Sequence, residues 1–131
     1  MAEEFRVLIV DDEDDFRETL LKRMKRRDLD VSGAESAQKA LDLMDQRDFD
    51  VVVLDVKMPG MDGIETLREL KKKSPLTEVI LLTGHASVES GIEGMKLGAF
   101  DYLMKPVNID ELLGRVRQAY ERKVIHEKEP E

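Results

Sequence analysis

Four short apolar runs, each ending abruptly on a polar side chain, limit what this 131-residue chain can become. Val7-Leu8-Ile9-Val10 stops at Asp11-Asp12, and Val51-Val52-Val53-Leu54 stops at Asp55. Val79-Ile80-Leu81-Leu82 stops at Thr83, and Phe100-Asp101-Tyr102-Leu103-Met104 stops at Lys105-Pro106. Runs this short, rich in Val, Ile and Leu and separated by helical patterns, read as strands of a parallel sheet covered on both faces. Ligands of such open sheets sit in the crevice beyond the carboxyl ends of the strands. The pattern therefore predicts one sheet edge where three carboxylates, a hydroxyl and an ammonium converge.

The intervening segments supply the helices. Phe16, Leu20, Leu21 and Met24 form an apolar stripe that predicts a first helix over about 14–27. Its end carries Lys22, Arg23, Lys25, Arg26 and Arg27, which either complement the helix dipole or offer a docking surface. A weak second strand follows near Val31-Ser32-Gly33-Ala34, and Ser36 is placed to cap a second helix presenting Ala37, Ala40, Leu41 and Met44. Pro59-Gly60 marks a turn before a third helix built on Ile64, Leu67 and Leu70, which ends before Pro75 with Lys71-Lys72-Lys73 in its last turn. Helix four is expected over about 87–97, with Gly98 suited to a left-handed cap. Gly91 and Gly94 inside it each cost roughly 1 kcal/mol of helicity, so that helix is either locally unstable or packed closely on the sheet. Asn108 and Glu111 stand at capping-box spacing ahead of Ile109, Leu112, Leu113 and Val116 of helix five. Lys123 to Glu131 is charged and aperiodic, and is expected to fray. The order predicts a doubly wound α/β fold: a five-stranded parallel sheet, (βα)5, with helices on both faces, spanning 5–122 and followed by a charged tail at 123–131.

Composition narrows the class. A hydrophobic fraction of 41% supports a packed core, and no apolar run approaches the ~20 residues a membrane span needs. The acidic start, Met1-Ala2-Glu3-Glu4, does not resemble a signal peptide. The lack of cysteine excludes disulfides and thiolate metal sites, and a net charge of −8 argues against nonspecific nucleic-acid binding. The expectation is a cytoplasmic globular domain with neither membrane nor direct nucleic-acid contact. At the predicted edge, Asp11, Asp12 and Asp55 offer hard oxygen ligands of the kind Mg²⁺ takes. Three crowded carboxylates repel one another, so the Lys105 ammonium and a metal cation are electrostatically demanded.

These segments together resemble the receiver domain of two-component response regulators over about residues 5–122. The resemblance is carried by Val7-Leu8-Ile9-Val10-Asp11-Asp12-Glu13 and by Leu54-Asp55-Val56-Lys57-Met58-Pro59-Gly60-Met61-Asp62-Gly63. Leu82-Thr83-Gly84 and Gly98-Ala99-Phe100-Asp101-Tyr102-Leu103-Met104-Lys105-Pro106 complete it, and the flavour is that of receivers in transcriptional regulators. The resemblance implies a flavodoxin-like fold and a phosphorelay role. Asp55 would be the phosphoacceptor, becoming an aspartyl phosphate in a Mg²⁺-dependent reaction. Asp12 would ligate Mg²⁺ directly, Asp11 directly or through water, and Asp55 and the Lys57 carbonyl would complete the protein's share. Lys105 would pair with the phosphoryl oxygens and Thr83 would donate to one of them, while Tyr102 would follow Thr83 as the switch aromatic. Pro106 implies a cis peptide that aims Lys105, and Gly63 a close approach at the start of helix three.

The implied partners are a histidine kinase or phosphotransfer protein upstream and an effector domain or protein downstream. The implied output surface is that of helix four, strand five and helix five. Glu89, Glu93, Lys96, Asp110, Arg115 and Arg117 there serve a phosphorylation-linked homodimer or simply face water. Lys57 and His85 fall where side chains flank the phosphate and tune its hydrolysis, or are plain loop residues; Met58 suits packing. His126 lacks the helical bundle a phosphohistidine needs. The chain is not expected to be an enzyme beyond its own phosphorylation and dephosphorylation. An aspartyl-phosphate hydrolase of the haloacid dehalogenase kind needs a second acid two residues after the nucleophile, where Lys57 stands. A flavodoxin-type FMN module would replace Asp11-Asp12-Glu13 by a Ser/Thr/Gly-rich loop. A degenerate receiver acting as a constitutive interaction module is the remaining alternative. With no effector segment in the sequence, a stand-alone receiver and a piece of a longer regulator or hybrid kinase are both open.

Overall fold

The computed structural model describes residues 5–56, 63–84 and 88–129, with side chains in the last stretch from Ile92 onward. Strands and helices alternate as the apolar runs predict: β1 (Arg6–Val10), α1 (Asp14–Lys25), β2 (Asp30–Ala34), α2 (Ala37–Gln46), β3 (Val51–Asp55), α3 (Gly63–Lys73), β4 (Glu78–Thr83), α4 (Val88–Lys96), β5 (Asp101–Met104) and α5 (Ile109–Lys128). The strands form one all-parallel sheet in the order β2-β1-β3-β4-β5. This is the flavodoxin-like order, with its reversal of direction between β1 and β3. The turn expected at Pro59-Gly60 and the residue Ser87 lie outside the described residues.

Side-chain alternation divides the sheet into two cores. Val7, Ile9, Val51, Val53, Ile80 and Leu82 face α1 and α5, where they meet Leu20, Leu21, Met24, Leu112 and Val116. Leu8, Val10, Val52, Leu54, Val79 and Leu81 face the opposite side, against Ala37, Ala40, Leu67 and Leu70 of α2 and α3. The central strands carry apolar residues on both faces because both are covered, which is why their sequences read as continuous runs.

Local chemistry sets the helix ends. Ser36 Oγ accepts from Lys39 N at 3.1 Å, and Asn108 Oδ1 accepts from Glu111 N at 3.1 Å. Gly98 has φ of 104° and lets Ala99 N reach back to Gly94 O at 3.0 Å, closing α4. Gly94 supplies the close packing on the sheet that the sequence allows for. A Cβ there would lie 2.1 Å from Leu81 Cδ1, so the absent side chain lets α4 settle on β4. The surroundings of Gly91 lie outside the described residues.

Most of the stretch expected to be an aperiodic tail is helical. α5 continues to Lys128, because ion pairs replace the apolar stripe in its last turns. Tyr120 stacks on Phe5 with ring centroids 4.3 Å apart, and Arg122 Nε lies 3.1 Å from the buried Glu78 carboxylate. Lys123 Nζ meets Asp50 Oδ1 at 2.8 Å and Glu127 Oε1 at 3.1 Å. Burial alone would lower the Lys123 pKa, but its hydrogen bonds to the Asp50 and Glu127 carboxylates outweigh it and hold the ammonium above its ordinary value. Its contribution is therefore present throughout the neutral range and is lost only as pH rises through that raised pKa.

Gly63 begins α3 against the backbone that leaves β3. Its N–H donates to Val56 O at 2.9 Å, and a Cβ would fall 2.4 Å from Val56 Cα. A main-chain neighbour cannot swing aside as a side chain can. Gly63→Ala should therefore cost about 1–3 kcal/mol in urea denaturation. Gly94→Ala should cost less, since the end of the Leu81 side chain can yield and helicity is gained. Equal stability of the parent and Gly63→Ala would contradict this packing.

Candidate functional site

The sheet's switch point lies between β1 and β3, and the acidic residues sit at its carboxyl edge. Asp11 directly follows β1 and is 0% exposed, while Asp55 ends β3 at 5% exposed. Asp12 next to Asp11 is open to solvent. One carboxylate oxygen from each of Asp11, Asp12 and Asp55 can be chosen so that all three lie within 4.8 Å of one another. At an effective dielectric near 20, two unit charges about 4 Å apart repel by roughly 4 kcal/mol, so this edge needs positive charge.

Lys105 supplies it from just beyond β5. Its Nζ lies 3.0 Å from Asp11 Oδ2, 3.1 Å from Glu13 Oε1 and 3.6 Å from Asp55 Oδ2. The same ammonium stands 4.3 Å from the centre of the Phe16 ring, a cation–π contact that fixes its approach. Burial would depress the Lys105 pKa, but the hydrogen bonds to Asp11 and Glu13 and the charges of Asp55 and Asp11 prevail and raise it. The Lys105–Pro106 peptide is cis.

Register brings the hydroxyl to the same edge. Asp55 pairs with Leu82 and Leu82 with Leu103, so Thr83 stands one step beyond Asp55 and level with Met104. Thr83 is 0% exposed, and its Oγ1 has no hydrogen-bond partner among the described residues. A buried hydroxyl left unpaired costs about 1–3 kcal/mol, so this one retains the capacity to donate to an oxygen acceptor. Tyr102 is half-buried, with its ring packed against the Leu54–Leu81 side of the core. Lys57 and His85, expected around this edge, lie outside the described residues.

Sequence reasoning missed three participants. Glu13 was read only as part of a motif, and Phe16 only as core. Arg17 drew no attention, yet it is 9% exposed and donates to the Asp11 carbonyl at 2.8 Å. Helical spacing from Asp14 was the available signal, since Arg17 Nη2 meets Asp14 Oδ1 at 2.7 Å, an i,i+3 pair.

The donor set suits a hard divalent cation. Three carboxylates with one of them solvent-facing offer oxygen ligands while leaving room for retained waters, as Mg²⁺ prefers. Asp11 Oδ1 is already taken by Glu13 N at 2.9 Å and Oδ2 by Lys105, so its share is the more constrained.

The chain is also similar to known proteins in sequence and in fold. The response regulator receiver domain model matches residues 7–117. The regulatory protein AtoC of Escherichia coli K12 is 42% identical over 107 residues, which cover 82% of this chain and 23% of that protein. The DNA-binding transcriptional regulator NtrC of Klebsiella pneumoniae is 36% identical over 111 residues, 85% of this chain and 24% of that one. This chain thus spans about a quarter of the length of these curated relatives. A receiver domain protein from Clostridium thermocellum superposes with a TM-score of 0.88 at 35% identity, covering 95% of this chain and 98% of that one. NtrX from Brucella abortus gives a TM-score of 0.90 at 29% identity, over 98% of this chain and 29% of that one.

Removing the ammonium should expose the repulsion. In EDTA, Lys105→Ala should lose about 1–3 kcal/mol of stability, because buried Asp11 is left without its counter-charge. A melting curve equal to the parent's would show that Lys105 does not offset the carboxylates.

Proposed function

This chain belongs to the response regulator receiver domain family of two-component signalling, and on that premise we propose that Asp55 is its phosphoacceptor and that the domain is a phosphorylation-driven switch. The observation that carries this reading is the buried Thr83 hydroxyl, without a hydrogen-bond partner among the described residues, beside an acidic edge already holding Lys105. A degenerate receiver would have no need to keep that hydroxyl buried and unsatisfied.

An Asp55 carboxylate oxygen attacks the phosphorus of a phosphohistidine on a kinase or phosphotransfer protein. A P–O bond forms, the P–N bond breaks, and the imidazole leaves with its electron pair and takes up a proton. Phosphoryl transfer rewards in-line positioning and cations on the equatorial oxygens more than covalent machinery. Asp11 and Asp12, with Asp55, would hold a Mg²⁺, which when bound neutralises charge on the phosphoryl oxygens. Lys105 binds another of those oxygens by turning from Asp11 and Glu13, both within its present reach. Hydrolysis reverses the modification: water attacks phosphorus and releases phosphate and the Asp55 carboxylate. No other substrate is turned over.

Output begins at Thr83. Its hydroxyl moves toward a phosphoryl oxygen and donates to it, and Tyr102 moves into the space vacated. The surface of α4, β5 and α5 changes with it, where Ile92, Met95 and Met104 are exposed large apolar residues suited to a partner. The names of the relatives, transcriptional regulators among them, favour an effector that controls transcription.

Mg²⁺ with acetyl phosphate should add one phosphoryl group by intact mass, and Asp55→Asn should abolish it. Undiminished labelling of that variant would sink the assignment. Asp12→Ala should raise the Mg²⁺ requirement about tenfold or more, equivalent to ~1.4 kcal/mol per decade. An unchanged Mg²⁺ dependence would remove Asp12 from the ligand set.

A further inference from the structure

We propose that Arg17 is a positioning residue that sets the Asp11–Asp12 loop from beneath; its consequence for Mg²⁺ rests on the proposed function above. An arginine buried on the inner side of α1 needs a reason, because desolvating a guanidinium is costly unless it is paired. A leucine or methionine would fill the same space beside Leu21 without that cost. What neither could do is hold a carbonyl.

The carbonyl in question is the first one beyond β1. Asp11 N still donates to Ala34 O across to β2 at 3.0 Å, but the strand ends at Val10 and the Asp11 carbonyl extends into the loop. Arg17 Nη1 meets it at 2.8 Å, while Nη2 holds Asp14 Oδ1 at 2.7 Å in the first turn of α1. One planar fork thus spans the loop from strand end to helix start, and Asp12 lies between its two anchors. The remaining polar atoms of Asp11 are held by Glu13 N and Lys105 Nζ, so Arg17 completes a residue tied at every hydrogen-bonding position. Room for the arm comes from β2. A Cβ on Gly33 would lie 3.2 Å from Arg17 Cδ and 2.8 Å from Leu21 Cδ1. The geometry is that of an outer-shell support, which orients ligands without touching the ligand-bound group.

The test compares Arg17→Lys and Arg17→Met with the full chain by NMR. Lysine keeps the charge but cannot grip two acceptors at once, and it guards against a methionine variant that does not fold. In EDTA, both variants should shift the Asp11, Asp12 and Glu13 amides and speed exchange at Glu13 N, while amides in β4 and α3 stay put. On titration with Mg²⁺ alone, both should bind about tenfold more weakly, the scale of outer-shell losses. If Arg17 acted only through its charge, Arg17→Met would bind Mg²⁺ more tightly and Arg17→Lys would match the parent, which would overturn the proposal. Lower melting points with unchanged loop amides and unchanged Mg²⁺ affinity would overturn it too, leaving a purely structural role. A parent that shows no Mg²⁺ response would instead defeat the metal reading, and the metal-free loop shifts would still decide the role of Arg17.

Discussion

Like charges crowded at one sheet edge are the constraint around which this molecule is arranged. Asp11, Asp12 and Asp55 are brought together by the reversal of strand order between β1 and β3, a property of the topology rather than of any local segment. Such an arrangement stores repulsion. Lys105, steadied by Phe16 and shared among Asp11, Glu13 and Asp55, offsets it in the resting protein.

Two cores hold that edge steady. The inner strands are buried on both faces, so their ends cannot drift without disturbing packing against α1 and α5 on one side and α2 and α3 on the other. The Thr83 hydroxyl projects from this rigid frame with its hydrogen-bonding capacity unused among the described residues. α4 seats on β4 through Gly94, and its outer face leaves Ile92 and Met95 exposed.

What could be read from the sequence followed the range of the interactions involved. Strand ends were legible because Val10 to Asp11, Leu54 to Asp55 and Leu82 to Thr83 are abrupt changes of residue type. The caps at Ser36, Asn108 and Gly98 were legible because each acts within a few residues of itself. Arg17 and Phe16 were not, since their roles depend on Asp11 and Lys105 arriving from other elements. The last turns of α5 looked aperiodic for the same reason: Arg122 and Lys123 find Glu78 and Asp50, residues remote in the chain. Lys71 is a related case. It read as a solvated helix-end cation, yet it folds over to the carbonyls of Pro75 and Thr77, and its burial lowers its pKa despite the nearby Glu78. Periodicity reports which face is apolar; it does not report which charges are turned inward.

Under the proposed function, the carboxylate edge, Lys105 and Thr83 form one phosphoryl-binding site centred on Asp55. A crystal structure of the chain with Mg²⁺ and beryllofluoride, a mimic of the phosphoryl group, tests it most directly. Beryllium should be joined to an Asp55 oxygen, with Mg²⁺ bound by Asp11, Asp12 and Asp55 and fluorines accepting from Thr83 Oγ1 and Lys105 Nζ. Beryllofluoride on another residue, or on Asp55 with the Thr83 hydroxyl still unpaired, would contradict it.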